Sequence, residues 1–391
     1  MDEEAVTAHV QEIMRDFARI TGLEPVSDRP KRYLWTDAFA VCNYLGLFHR
    51  TGDTRWRDLA ERLVWQVHHT LGRHRDDDPR KGWISGLSES EGELHPTRGG
   101  LRIGKPLGER NPDVPYDDRL EWDQDGQYFH YLTRWMHALN RMSRVTKEQK
   151  YNQWAIELAQ AAHAAFTFVP PAGGRPRMCW KMSIDLSRPL VPSMGQHDPL
   201  DGFITYSELQ VTAEEDFGQA HRLYLGSEIA GMAAICRGSA LATDDPLGLG
   251  GLLADAFRVA QLMARTGGGY TGLPGSILNA AAPGVRAFAT GQATRMPPEH
   301  RLAFRELGLA IGLAGVQRMG SLMDRGPGVF AGDGQLRGRV RSLAAYEPFR
   351  QAIMEFWLDE RSRTAITWVE HREINMVMLA TSLAPEGFLT I

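Results

Sequence analysis

Between Glu121 and Phe168, apolar side chains recur every three or four residues in two runs. The first holds Phe129, Leu132, Trp135, Met136, Leu139 and Met142. The second holds Tyr151, Trp154, Ala155, Leu158, Ala161, Ala162 and Ala165. That spacing puts each set on one face of a helix, and the polar stretch Arg144–Lys147 between them predicts a tight turn. The same unit precedes it in the chain. Phe39, Val41, Leu45, Leu47 and Phe48 mark one helix, Thr51-Gly52-Asp53 a turn, and Trp56, Leu59, Leu63, Val64 and Val67 a second helix. Two helical pairs with an aromatic just after each turn predict a repeated αα-hairpin.

The remaining pattern extends this rhythm. Val6, Val10, Ile13, Met14, Phe17 and Ile20 predict a helix from about Glu3 to Ile20, with Gly22 as its stop. Further helices are expected over Leu223–Ala242, Leu252–Met263, Glu299–Met319, Tyr346–Asp359 and Thr364–Leu383. Three stretches, near 72–120, 169–216 and 266–297, are rich in Gly, Pro and charge and read as long inserts. Within the second, Met178–Leu186 alternates and predicts a short strand. Helices in consecutive pairs with almost no strand predict an all-α class: an (α/α) toroid of helical hairpins, one domain over residues 1–391, with its long loops at one end. A linear solenoid is the competing form, but its repeats would be more uniform.

Composition narrows the class. Of 391 residues, 43% are hydrophobic and 24% charged, with a formal net charge of −4. These values fit a globular chain and give no electrostatic footprint for nucleic acid. Cys42, Cys179 and Cys236 are odd in number and far apart, which argues against a disulfide framework and for a reducing compartment. The acidic, amphipathic N-terminus lacks the features of a signal peptide. No apolar run comes near the ~18 residues a membrane span needs. The expected location is therefore cytoplasmic, with no membrane and no nucleic acid as partner.

The segment LWTDAFAVCNYLGLFHRTGDTRWRDLA resembles the hairpins of the six-hairpin glycosidase superfamily, the (α/α)6 barrels, in particular unsaturated glucuronyl and rhamnogalacturonyl hydrolases. WDQDGQYFHYLTRWMHAL is similar in style. The resemblance implies a sugar-processing site at the mouth of the toroid, with the TGD turn structural. It also implies that the aspartates at helix entrances, Asp37 and Asp125, are the acid and base.

Glycoside hydrolysis needs a proton donor and a second carboxylate, which Asp37 and Asp125 would supply. An aspartate before a helix is also a common N-cap, and Asp123 is the stronger cap of the neighbouring two. A second cluster, His197, Asp198 and Asp201 with Glu208 beyond, has residue types for acid/base work but matches no metal spacing. His130 and His137 lie seven apart, with Arg134 one turn from each. Tyr128 and Tyr131 would hydrogen-bond a hydroxylated ligand or pack. Trp35, Trp83, Trp122 and Trp180 would stack on sugar C–H faces or fill the core. No phosphate loop, dinucleotide fingerprint or nucleophile elbow is present, so neither cofactor nor metal is expected. The reading from sequence is a carbohydrate-active enzyme, foremost a glycoside hydrolase of a short saccharide. Asp37, Asp125, His197 and Asp201 would be catalytic, with Trp35, Trp83, Trp122, Asp123, Tyr128, His130, Asp198 and Glu208 around the substrate. Alternatives on the same fold are a sugar epimerase or isomerase, for which His130 and His197 are the available histidine pair, and a polysaccharide lyase. A non-catalytic binding or scaffold protein is the alternative from another class.

Overall fold

The computed structural model describes residues 2–217 and 224–391. Its helices, in chain order, begin with α1 (Glu3–Ile20), α2 (Leu34–Thr51), α3 (Thr54–Leu71), α4 (Glu89–Leu94) and α5 (Asp118–Asp123). Next come α6 (Phe129–Thr146), α7 (Gln149–Phe166), α8 (Asp198–Phe217), α9 (Gly226–Cys236), α10 (Pro246–Thr266) and α11 (Leu273–Thr290). The chain closes with α12 (Ala303–Arg325), α13 (Leu336–Ala344), α14 (Glu347–Leu358), α15 (Ile366–Glu370), α16 (Arg372–Leu383) and α17 (Glu386–Leu389). Five short strands are β1 (Gln127–Tyr128), β2 (Thr167–Phe168), β3 (Arg177–Met178), β4 (Lys181–Met182) and β5 (Pro189–Val191). The all-α class is met. Two expected inserts shrink: 169–216 ends at α8, and 266–297 contains α11. Pro199 and Gly202 fall inside α8, and Pro274 and Pro283 inside α11. The alternating Met178–Leu186 segment yields β3 and β4 rather than one strand. The expected helix start at Leu223 lies outside the described residues.

Contacts divide the chain into two compact units: Ala18–Leu45 with Asp53–Ser239, and Met1–Phe17, Gly46–Gly52 and Ala240–Ile391. In the unit formed by Ala18–Leu45 and Asp53–Ser239, hairpins recur as the sequence pattern requires. Tyr44 of α2 stacks on Trp56 of α3 at 6.1 Å, and α6 packs on α7 and α8 on α9. Asp53 caps α3, its carboxylate accepting the Arg55 N–H at 3.0 Å, so the TGD turn ends in an ordinary cap. The α6–α8 seam is polar. Arg134 meets Asp201 at 3.0 Å, His137 meets Glu208 at 2.9 Å, and Asn140 donates to Thr212 at 2.8 Å.

The 72–120 insert is mostly irregular yet tightly fastened. Gln127 accepts the Leu101 N–H at 2.8 Å and donates to the carbonyls of Gly99 (3.0 Å) and Ile184 (2.6 Å). Gly100, at φ +76°, is needed here, because a Cβ would lie 2.0 Å from the Gln127 amide. The small sheet runs β1-β4-β5, with Tyr128 paired to Lys181.

In the unit containing Ala240–Ile391, α10 crosses α12 at close range. A Cβ on Gly250 would meet the Gly308 carbonyl oxygen at 2.0 Å, and one on Gly312 the Gly250 oxygen at 2.5 Å. Arg301 and Glu306 form a buried pair at 2.6 Å, and the Trp357 indole N–H donates to the same carboxylate at 2.8 Å. Contrary to the sequence expectation, α10 is long and apolar enough to cross a membrane by length and composition, and 72% of its apolar window is buried inside the protein. That burial, on α11 and α12, accounts for its composition. Since interiors are packed to crystal-like density, Gly250→Ala will force α10 and α12 apart. We expect a loss of about 1–3 kcal/mol, measured as a lower midpoint in urea unfolding.

Candidate functional site

The two aspartates favoured from sequence are both held by arginines. Asp37 lies in the first turn of α2, buried, 3.2 Å from the Arg32 guanidinium and accepting the Tyr33 N–H at 3.0 Å. Burial pushes its pKa up to about 6, against the pull of Arg32. Asp125 is fully buried. It takes Arg102 at 2.5 Å and Arg75 at 3.3 Å, together with the N–H groups of Gly104 (3.0 Å), Lys105 (3.4 Å) and Gly126 (3.1 Å). A carboxylate so enclosed has no lone pair directed to a ligand. Its evident work is to fasten the 72–120 insert to the start of β1. Asp123 is exposed.

A different set of side chains forms a ring of aromatic contacts in this unit, here called the bowl. Tyr128 is its floor, only 1% exposed. Strand pairing of β1 with β4 sets Tyr128 beside Trp180, with rings 4.9 Å apart. Beneath it lies the buried Lys181, whose ammonium is 5.3 Å from the Tyr128 ring centroid and 2.8 Å from Glu121. The rim can be followed contact by contact. Lys105 Nζ lies 5.5 Å from the ring centre of Tyr33. Tyr33 and Tyr131 share a 2.6 Å hydroxyl–hydroxyl bond. Tyr131 packs edge-on to His130 at 4.7 Å. His130 stacks parallel to Trp180 at 6.1 Å and 7°. Trp180 meets Trp122 at 5.6 Å, and Lys105 closes the circuit 5.7 Å from Trp122. Trp122 is 53% exposed, so its indole borders solvent.

At the histidine side of the rim stand the acids of α8. His130 Nδ1 is 4.0 Å from Asp198 Oδ1. Neither Nδ1 of His130 nor Oδ2 of Asp198 has a hydrogen-bond partner, although both are buried. Asp201 accepts from the Thr133 hydroxyl and from Arg134 at 3.0 Å. Burial lowers the His130 pKa to about 4, with Arg134 adding to the effect. Burial and the neighbouring Asp201 raise Asp198 to about 7. The arrangement sets a neutral imidazole against a carboxyl that titrates near neutrality, beside an aromatic bowl. Perturbed pairs of this kind concentrate where protons are moved.

Of the sequence candidates, Trp122, Tyr128, His130 and Asp198 meet at this bowl, with Asp201 behind them. Trp180, noted for its loop position, and Tyr131 join them. His197 is half-buried in the turn before α8. Trp35 is buried against Phe39 at 4.5 Å, and Trp83 is buried under the Arg73 guanidinium at 4.4 Å. Glu208 is buried with His137 in the α6–α8 seam. Sequence reasoning missed Tyr33 and Lys105. Tyr33 stands one residue before α2 and was open to the same entrance logic that singled out Asp37. Lys105 lies in the aperiodic insert, where no spacing signal exists.

No family model and no curated protein matches this chain. Among solved structures it is similar to cellobiose 2-epimerase from Spirochaeta thermophila DSM 6192, at 11% identity over 95% of this chain and 97% of that one, TM-score 0.48. It is also similar to cellobiose 2-epimerase from Bacillus thermoamylovorans B4167, at 9% identity over 81% and 76%, TM-score 0.46. A D-mannose isomerase gives 12% identity over 85% of both chains, TM-score 0.45. Likeness this remote leaves the chemistry of the chain to its own side chains.

Two outcomes follow from the buried acids. Asp125→Asn leaves Arg102 without its countercharge and should cost about 3–5 kcal/mol, read as a lower Tm. For Asp198 the folded pKa lies above the unfolded one. Its stabilising contribution is therefore complete below about pH 4 and lost as pH rises to about 7. Asp198→Asn should leave stability at pH 4 nearly unchanged and raise it at pH 8, by at most about 4 kcal/mol, in parallel thermal melts.

Proposed function

We propose that this protein is a carbohydrate-active enzyme that moves a proton on the carbon beside a sugar carbonyl, as an aldose–ketose isomerase or 2-epimerase does. With this goes the single-domain (α/α)6 organisation expected over residues 1–391. The observation that carries the reading is the His130–Asp198 pair. A neutral imidazole at the rim of an aromatic bowl is ready to accept a proton. Its Nδ1 is buried 4.0 Å from a carboxyl that can become the counter-ion of the resulting imidazolium. The exposed indole of Trp122 and the half-buried one of Trp180 suit the C–H surface of a sugar. Asp201, fixed by Thr133 and Arg134, braces the acid side.

In the proposed step the substrate's C2–H bond breaks and its proton passes to His130. The bonding pair becomes the C1=C2 double bond, and the carbonyl electrons move to oxygen. Reprotonation of C2 from the other face gives the epimer; protonation of C1, with the O2 proton passing to O1 as the C2=O bond forms, gives the ketose. No external oxidant or reductant is needed.

A second reading, glycoside hydrolysis, is favoured by one observation. Asp198, with a pKa near 7, would be protonated enough to act as general acid. The products separate the two: an isomer or epimer in one case, a new reducing end in the other.

The test uses glucose, mannose and cellobiose in D2O, with exchange at C2 followed by NMR. We expect exchange in at least one sugar, lowered about 100- to 10,000-fold by His130→Gln. The rate should climb with pH through about 7 as Asp198 ionises, and Asp198→Asn should abolish that climb. Release of monosaccharide from cellobiose without C2 exchange would overturn the isomerase reading in favour of hydrolysis.

A further inference from the structure

We infer that the paired hydroxyls of Tyr33 and Tyr131, backed by the Lys105 ammonium, form an oxyanion site that holds the developing enediolate oxygen of an open-chain sugar. The inference rests on the proton-transfer reading above and assigns the residues that would receive the negative charge.

Two phenols bring two O–H groups, and their 2.6 Å contact uses one of them. That contact is the one hydrogen bond either hydroxyl makes among the described residues. The second phenolic proton is therefore left to point elsewhere. Both phenols are held firmly in the protonated form. Burial raises Tyr33 to about 12, and raises Tyr131 well above the ordinary phenol value, with the charge and hydrogen bond of Tyr33 adding to it. They are donors throughout the working pH range. A phenol that already accepts a hydrogen bond is polarised to donate a stronger one.

The cation completes the site. The Lys105 side chain makes no ion pair and no hydrogen bond among the described residues. Its ammonium rests between the rings of Tyr33 and Trp122, 5.5 and 5.7 Å from their centres. The nearby acids act on it only at a distance: Asp123 is exposed, and Asp125 is taken up by Arg102 and Arg75. Burial lowers the Lys105 pKa, against the pull of Asp123. Followed round the rim, Tyr131 lies between His130 and Tyr33. A carbon beside the imidazole would thus have its carbonyl oxygen next to the phenols. Donors fixed in advance at the place where charge develops are the largest single source of many enzymes' rate enhancement.

The probe is D-arabinonohydroxamate, a mimic of a six-carbon enediolate, with glucose as the ground-state reference. Binding is read from tryptophan fluorescence, since Trp122 and Trp180 are on the rim. The full chain should bind the hydroxamate at least about 100-fold more tightly than glucose. Tyr33→Phe, Tyr131→Phe and Lys105→Gln should each erode that preference by about 10- to 100-fold. Glucose affinity, which reports an intact bowl, should stay within about threefold. Unchanged hydroxamate preference in the two Phe variants would overturn the inference. If C2 exchange is still present and lost in His130→Gln, the proton-transfer reading survives that result. If the unmodified protein shows neither exchange nor preference for the hydroxamate, both fall together.

Discussion

The site depends on one buried carboxylate that takes no part in its proposed chemistry. Asp125 collects two guanidinium groups and three backbone N–H groups within a fully buried space. A charge removed from water this completely is tolerable only with its lone pairs filled. Filling them requires residues 75, 102, 104 and 105 to come to the same point as the start of β1. The long insert is thereby given one conformation, and Lys105 one position. The cost of burying Asp125 is what ties the backbone at residues 104 and 105 to the start of β1.

Much of the fold was legible in the chain because helices announce themselves by period. The α2–α3 and α6–α7 hairpins appear where apolar residues recur at three and four, and Asp53 caps α3 where the TGD turn suggested. The failures have physical causes. Helices α8 and α11 were absorbed into inserts because glycine and proline near their ends outweighed a weak periodicity. Helix α10 was expected over Leu252–Met263 and runs longer, from Pro246 to Thr266. Position at a helix entrance singled out Asp37 and Asp125, but an entrance says nothing about which arginine arrives from elsewhere. Arg32 and Arg102 decide both cases, and neither belongs to a pattern. His130 was named from its spacing to His137, and Asp198 from the cluster with His197 and Asp201. Their 4.0 Å approach depends on how α6 meets α8, which no local spacing encodes.

Asp198 and Asp125 are opposite solutions to the same problem. Asp125 has both of its oxygens occupied by donors. Asp198 is buried beside Asp201 with one oxygen lacking a partner, so ionising it costs stability. A protein that tolerates such a group accepts a weaker fold near neutral pH. That cost fits the proton-transfer role proposed for it.

The order of the rim along the chain has a kinetic meaning. Tyr33, Lys105, Trp122, His130, Trp180 and Asp198 span some 165 positions in sequence, and their neighbours round the bowl are seldom their neighbours in the polypeptide. Individual hairpins can form early from local contacts, whereas the bowl requires closure of several long loops. During synthesis it stays incomplete until Asp198 has left the ribosome, so a nascent chain that already holds α6 and α7 has a floor and part of a wall but no working pair.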